Sequence, residues 1–316
     1  MQTDEHTITA RARTGVSDTQ AWPVGATAVH EREQTLIAAD GYALGATVFE
    51  PDSRAASRGV IVMLGAVAVP QTYYHKLARY LAGAGYQVLT CDYRGVGRSR
   101  PKSLRGMAAS LTDWARLDAR AVLAHAGELA GGKPISAIGH SFGGQLIGVI
   151  DDMRMLSCAV LVAAQLPHVS MYPAPTRVRY AITFHAIMPL IATVCGYLPG
   201  SLGLGTDLPK QATLEWARWL TSPGYLRDHV SGSGARFAAF DRPVLHLSFS
   251  DDELAPAASV TAMIDALSAA KLEERRITPA QLGVPAIGHH GFFRPKFEAT
   301  LWSEARAFID RATNAH

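Results

Sequence analysis

The sequence predicts an α/β fold: a mostly parallel central sheet flanked by helices, with a helical lid inserted late in the chain. Three observations carry that expectation. Apolar, strand-like runs alternate with stretches of helical period between residues 59 and 163, the rhythm of a parallel sheet wound with right-handed crossovers. That rhythm lapses over 168–242, where helix-like pieces and Gly/Pro-rich joints follow one another, and resumes at 243. Finally, Gly139-His140-Ser141-Phe142-Gly143 sits between a strand-like run, 134–138, and a helical pattern, 145–153.

Taken in order, residues 1–31 are polar and without period and read as a loose tail. Two strand-like runs, 34–38 and 43–49, flank a turn at Asp40-Gly41. The run 59–64 is continuously apolar, as suits a strand covered on both faces. A helix is expected over 73–84, a strand over 87–91, and a second helix over 111–130 with Trp114, Leu117 and Ala121 on one face. The strands at 134–138 and 158–163 complete the first block, residues 32–167. In the lid, 168–242, Trp216 and Trp219 lie three apart in an amphipathic pattern. The second block, 243–316, offers a strand at 243–248, a helix at 257–267, a short strand at 273–277 and a last helix over 295–312.

Composition narrows the function. A chain of 316 residues with 48% hydrophobic content can bury a large core, and a net charge of +3 with no Lys/Arg cluster gives nucleic-acid binding no support. Cys91, Cys158 and Cys195 lie in apolar contexts and read as buried thiols of a reducing compartment. The first residues carry neither the basic nor the apolar region of a signal peptide, so a cytoplasmic location is expected. The segment 181–198 is apolar but broken by His185, Pro189 and Gly196, and reads as a helix buried within the lid rather than a membrane span.

The pattern at 139–143 is that of a nucleophile elbow, G-x-S-x-G. Ser141 would sit on a sharp strand-to-helix turn, and the flanking glycines keep β-carbons out of the bend. A serine hydroxyl needs a base, and the base needs an orienting acid, found later in the chain in that order, acid then base. Asp251 and Asp252 follow the strand at 243–248, and His289 and His290 precede the last helix. Asp252 is favoured by its spacing from Pro256, and His289 by its place after Gly288. Asp251-Asp252-Glu253 could equally cap a helix starting near Pro256. His140, the variable residue of the elbow, is expected to line the site. An oxyanion requires two main-chain donors: Phe142 after the nucleophile, and Val67, with Ala66 next in line, in the loop after 59–64. No H-E-x-x-H or Cys/His spacing suggests a metal.

With these residues assembled, the chain from about residue 34 onward resembles the α/β-hydrolase superfamily. Asp92-Tyr93-Arg94-Gly95-Val96-Gly97-Arg98-Ser99 looks like its D-x-R-G-x-G-x-S signature. More narrowly, Gly196-Tyr197-Leu198-Pro199, Asp207-Leu208-Pro209, Ser222-Pro223-Gly224-Tyr225 and Gly291-Phe292-Phe293-Arg294 are similar to a bacterial group labelled only "predicted α/β hydrolase". Two positions depart from the pattern, Ala68 where glycine is expected and His290 where an aromatic is usual. The resemblance implies a Ser141-Asp252-His289 triad, no cofactor, and cleavage of carboxylic esters or thioesters. An acyltransferase on the same triad and a non-catalytic binding protein on the same scaffold are the alternatives. Serine at the elbow argues against dehalogenases and epoxide hydrolases, which use aspartate there. The expected partner is a small-molecule acyl substrate, with no nucleic acid and no membrane insertion; a homo-oligomer is admitted.

Overall fold

The computed structural model describes residues 28–52, 57–203 and 205–314. The tail expected over 1–31 lies almost wholly outside the described residues, and strand β1 already begins at Val29. Eight strands form one sheet: β1 (Val29–Ile37), β2 (Ala43–Pro51), β3 (Val60–Leu64), β4 (Gln87–Cys91), β5 (Ile135–His140), β6 (Cys158–Val162), and, after the lid and its two-strand ribbon β7 (Tyr197–Leu198) and β8 (Leu208–Pro209), β9 (Pro243–Phe249) and β10 (Lys271–Ile277). Their order is β1-β2-β4-β3-β5-β6-β9-β10. Only β2 runs against the rest, pairing antiparallel with both β1 and β4.

Residues on β3 show why this is a two-faced sheet. Val60, Val62 and Leu64 point into one core while Ile61 and Met63 point into the other, and all five are buried. Successive side chains of a strand face opposite ways, so an unbroken apolar run requires cover on both sides. On one face lies the helical stretch α2 (Leu111–Asp113), a π turn (Trp114–Ala119) and α3 (Arg120–Ala130), which buries Trp114, Leu123 and Ala126. A capping box from Ser110 and Asp113 starts it, and Gly131 in the left-handed conformation ends it. The opposite face is covered by α1 (His75–Gly83) and α10 (Ser303–Asn314), with Leu77, Leu81, Trp302 and Phe308 between them.

The Asp92–Ser99 stretch is scaffold. Asp92, buried at the end of β4, accepts from the Gln71 amide (2.7 Å), Gln71 Nε2 (2.8 Å) and the Arg98 amide (2.9 Å). Arg94 reaches Asp118 under the sheet (2.7 Å) and Asp40 in the first turn (2.7 Å). A β-carbon at Gly97 would stand 2.4 Å from the Asp92 carboxylate, which fixes glycine at that position.

Beyond β5 the chain turns through Ser141 into α4 (Phe142–Gln145). The expected helix over 145–153 is not formed as one piece: α4 gives way to 3-10 turns at Leu146–Gly148 and Asp151–Met155. Gly143, Gly144 and Gly148 weaken helical propensity there, and Gly148 lies so close under Phe237 that a β-carbon would be 2.0 Å from the ring. The tight packing decides the conformation.

The lid occupies the chain between β6 and β9. It holds α5 (Ala174–Ile182), a π turn (Thr183–Ile187), α6 (Met188–Cys195), α7 (Lys210–Leu220) and α8 (Ser233–Ala239). The segment expected to be a buried helix is instead largely exposed, with Ile182, Leu190 and Val194 on the surface. The lid is one layer thick over a cavity, so only the inward side of this helix is covered. Cys195, at its end, is half-buried, while Cys91 and Cys158 are buried as expected.

Two predictions follow from burial. A β-carbon at Gly143 would meet the Leu64 carbonyl oxygen at 2.0 Å, so Gly143→Ala should destabilise the fold by about 3 kcal/mol or more, read as a lowered denaturant midpoint or loss of soluble protein. The second concerns His246 on β9, whose Nε2–H donates to the Ala164 carbonyl (2.9 Å) while Nδ1 is buried without a partner among the described residues. Burial pushes its pKa from 6.5 down to about 4. The unfolded chain therefore takes up a proton first as pH falls below 6.5, and stability should decline towards pH 4 by about 1.4 kcal/mol per pH unit for this residue. Urea unfolding across that range should show the slope, and His246→Gln should flatten it.

Candidate active site

Ser141 has φ 51° and ψ −111°, a strained conformation for a residue with a side chain. Its amide donates to the Val162 carbonyl (2.9 Å) and its carbonyl accepts from the Gly144 amide (3.0 Å). Crowding makes glycine obligatory on either side. A β-carbon at Gly139 would lie 2.7 Å from the Gly144 nitrogen, and the one at Gly143 would strike β3. The bend sets Ser141 in the wall of a cavity of about 480 Å³ between sheet edge and lid.

The two aspartates after β9 have separate jobs. Asp252 is buried, and its Oδ2 accepts from His289 Nδ1 at 2.7 Å. Its Oδ1 accepts from the Leu254 and Ala255 amides (2.9 and 3.0 Å), which orients the carboxylate. Asp251 Oδ2 instead accepts from the Ile287 and Gly288 amides (2.8 and 3.1 Å), anchoring the loop that carries His289. Neither caps α9 (Ala257–Ala266), whose N-cap is Pro256 and has no side-chain bond. Helix capping is therefore not why these acids are here.

His289 and Ser141 line the same cavity. No hydrogen bond joins them in this structure; Nδ1 of His289 is engaged with Asp252, which leaves Nε2 as the nitrogen for a partner. His290 also lines the cavity, and its carbonyl accepts from the Tyr73 hydroxyl (2.6 Å). It has no carboxylate partner among the described residues.

His140 does not line the cavity as expected; it is fully buried beneath it. Its Nε2 lies 2.9 Å from the His289 carbonyl, which can only accept, so the proton is on Nε2. Nδ1 then accepts from the Tyr74 hydroxyl (3.0 Å), whose oxygen accepts from the Ala66 amide (2.9 Å). Burial, with His289 and His290 adjacent, holds the imidazole well below its ordinary pKa and thus neutral. One chain of hydrogen bonds thus ties the loop after β3 to the loop of His289. Sequence reasoning missed it; the only signal was a histidine inside the elbow and a tyrosine eight residues past Ala66.

The Ala66 amide is consumed by Tyr74, whereas the Val67 amide donates to no described residue and Val67 lines the cavity. Phe142 is the first residue of α4, where an amide has no partner within the helix. Ala68 takes φ 58°, the left-handed region where glycine is usual. Its carbonyl accepts from both the amide and the hydroxyl of Thr206 in the lid (3.2 and 3.1 Å).

Most of the cavity wall is apolar and comes from the lid, including Phe184, Met188, Ile191 and Trp216. Trp219, the other half of the expected pair, is wholly buried in the core. A polar floor was also missed by sequence: Tyr225 donates to Gln145 Oε1 (3.2 Å), Gln145 Nε2 to the Gln165 carbonyl (2.7 Å), and Ser259 to Gln165 Oε1 (2.8 Å).

Comparison with known proteins bears on the fold. Among solved structures, an esterase from Exiguobacterium antarcticum matches with TM-score 0.59 and 18% identity over 88% of this chain and all (100%) of its own. An esterase from Pyrococcus furiosus matches with TM-score 0.56 and 15% identity over 89% of this chain and 90% of its own. A lipase in an open form matches with TM-score 0.63 and 17% identity over 90% of this chain and 100% of its own. At such identities the likeness is one of fold. No curated protein matches in sequence. The family model described as the alpha/beta hydrolase family matches residues 61–300, which spans the elbow, both aspartates and His289. The chain belongs to the alpha/beta hydrolase family.

Proposed function

We propose that this protein is a serine hydrolase that cleaves carboxylic ester or thioester bonds through an acyl-enzyme on Ser141. The observation that carries the reading is the 2.7 Å bond from Asp252 to Nδ1 of His289, which frees Nε2 in a cavity whose wall includes the Ser141 hydroxyl. In this reading His289 takes the Ser141 proton as the hydroxyl attacks the carbonyl, Asp252 steadies the imidazolium, and the proton passes to the leaving group. The amides of Val67 and Phe142 receive the oxyanion, and Ala66 is left out because Tyr74 already holds its amide. Water then attacks the acyl-enzyme with His289 again as base. The Ser141–His289 bond forms as substrate packs the cavity, since catalytic hydrogen bonds tighten in the loaded enzyme. The apolar lid wall favours a hydrophobic acyl group.

A fluorophosphonate probe should label the protein at one site, and Ser141→Ala should abolish labelling; an unlabelled wild-type protein would point to a binding protein. Hydrolysis of p-nitrophenyl esters should fall by about 10⁴-fold in kcat for Asp252→Asn, through the wrong imidazole tautomer, and much less for Asp251→Asn. Product analysis with added alcohol or amine separates hydrolysis from acyl transfer. Tyr74→Phe strands the Ala66 amide and His140 Nδ1 in the core, so stability should fall by about 1–3 kcal/mol for each unpaired group, measured by chemical denaturation.

A further inference from the structure

The helix made by α5, the π turn and α6 runs unbroken for 22 residues, Ala174–Cys195, and it is apolar on two opposite sides. On the inner side, Tyr180, Phe184, Met188 and Ile191 wall the cavity. On the outer side, Val178, Ile182, Ala186, Leu190 and Val194 recur every four residues, the spacing that stacks side chains in one stripe. Their exposure is 57%, 54%, 64% and 72% for Val178, Ile182, Leu190 and Val194. Large exposed apolar stripes mark interaction surfaces.

Charge identifies the occupant. Arg177 and Arg179 are exposed on the first turns of the helix. Arg105 is exposed at its other end, beside Gly196. None of the three is in an ion pair among the described residues. No Asp or Glu occurs anywhere from residue 168 to 206. A second copy of the chain docking through this face would bring guanidinium against guanidinium with no carboxylate of the segment to answer them. An anionic lipid surface answers both features, apolar stripe and cations. The helix is long enough to cross a bilayer, but its inner stripe is the roof of the cavity, and spanning would remove that roof.

We propose that the outer face of the Ala174–Cys195 helix docks the protein flat on anionic lipid surfaces, the apolar stripe entering the interface and Arg177, Arg179 and Arg105 meeting lipid phosphates. The binding needs no turnover, so it stands or falls separately from the hydrolase reading. The test is co-sedimentation of the full chain with vesicles of phosphatidylcholine alone and of phosphatidylcholine mixed with phosphatidylglycerol. Three basic residues near an anionic surface should favour the mixed vesicles by about 100-fold, a preference that shrinks as salt is added. The pair Leu190→Gln and Val194→Gln, which lies outside the cavity wall, should abolish sedimentation. The pair Arg177→Gln and Arg179→Gln should reduce the preference for the anionic mixture. Thermal melting should be unchanged in both. Failure of the wild-type chain to sediment with either vesicle overturns the proposal, as does binding that Leu190→Gln and Val194→Gln leave intact. A dimer in analytical ultracentrifugation that those two changes dissolve, without vesicle binding, would assign the face to a second copy.

Discussion

The close approach of β3 to the turn after β5 governs the site built above it. Leu64 and Gly143 meet so tightly that no side chain fits, and this pins Ser141 at positive φ. A strained residue persists only when its surroundings over-determine it. Here two glycines, the Val162 and Gly144 hydrogen bonds and a fully buried strand on each side do so. The hydroxyl is left in the cavity wall because the backbone has no other way to pass from strand to helix. Function at this site begins as a packing constraint.

Around that fixed point the molecule separates tasks that look redundant in the sequence. Adjacent aspartates face different clients: Asp252 orients an imidazole, and Asp251 holds the main chain from which that imidazole hangs. Adjacent histidines divide in the same way, His289 bonded to a carboxylate and His290 bonded only through its carbonyl. His140 serves as a neutral spacer between loops, which its burial enforces. Asp251 takes main-chain amides and His290 lends its main-chain carbonyl, so neither is part of the imidazole–carboxylate pair.

The elbow, the alternation of strand and helix, and the lid insertion were legible in the sequence for a physical reason. Doubly covered strands must be largely apolar, and a bend as sharp as that at Ser141 must be flanked by glycine. The roles of Asp251 and Tyr74 were not legible, because both act on amides distant in the chain, Asp251 on Ile287 and Gly288, Tyr74 on Ala66. A donor of that kind leaves no trace in residue type. The expected helix over 145–153 fails because Phe237, from the lid, claims the space at Gly148, a tertiary contact that local periodicity does not register. The lid helix misleads in the other direction: its apolar composition suggests burial, yet only its cavity side is covered.

The carbonyl of Ala68 is held twice by Thr206, so the strip of backbone bearing the Val67 amide is fastened to the lid as well as to the sheet. Roof and cavity wall are in that respect a single mechanical unit. Any displacement of the lid would have to release Ala68, so the position of the lid and the position of the Val67 backbone are coupled through those two bonds.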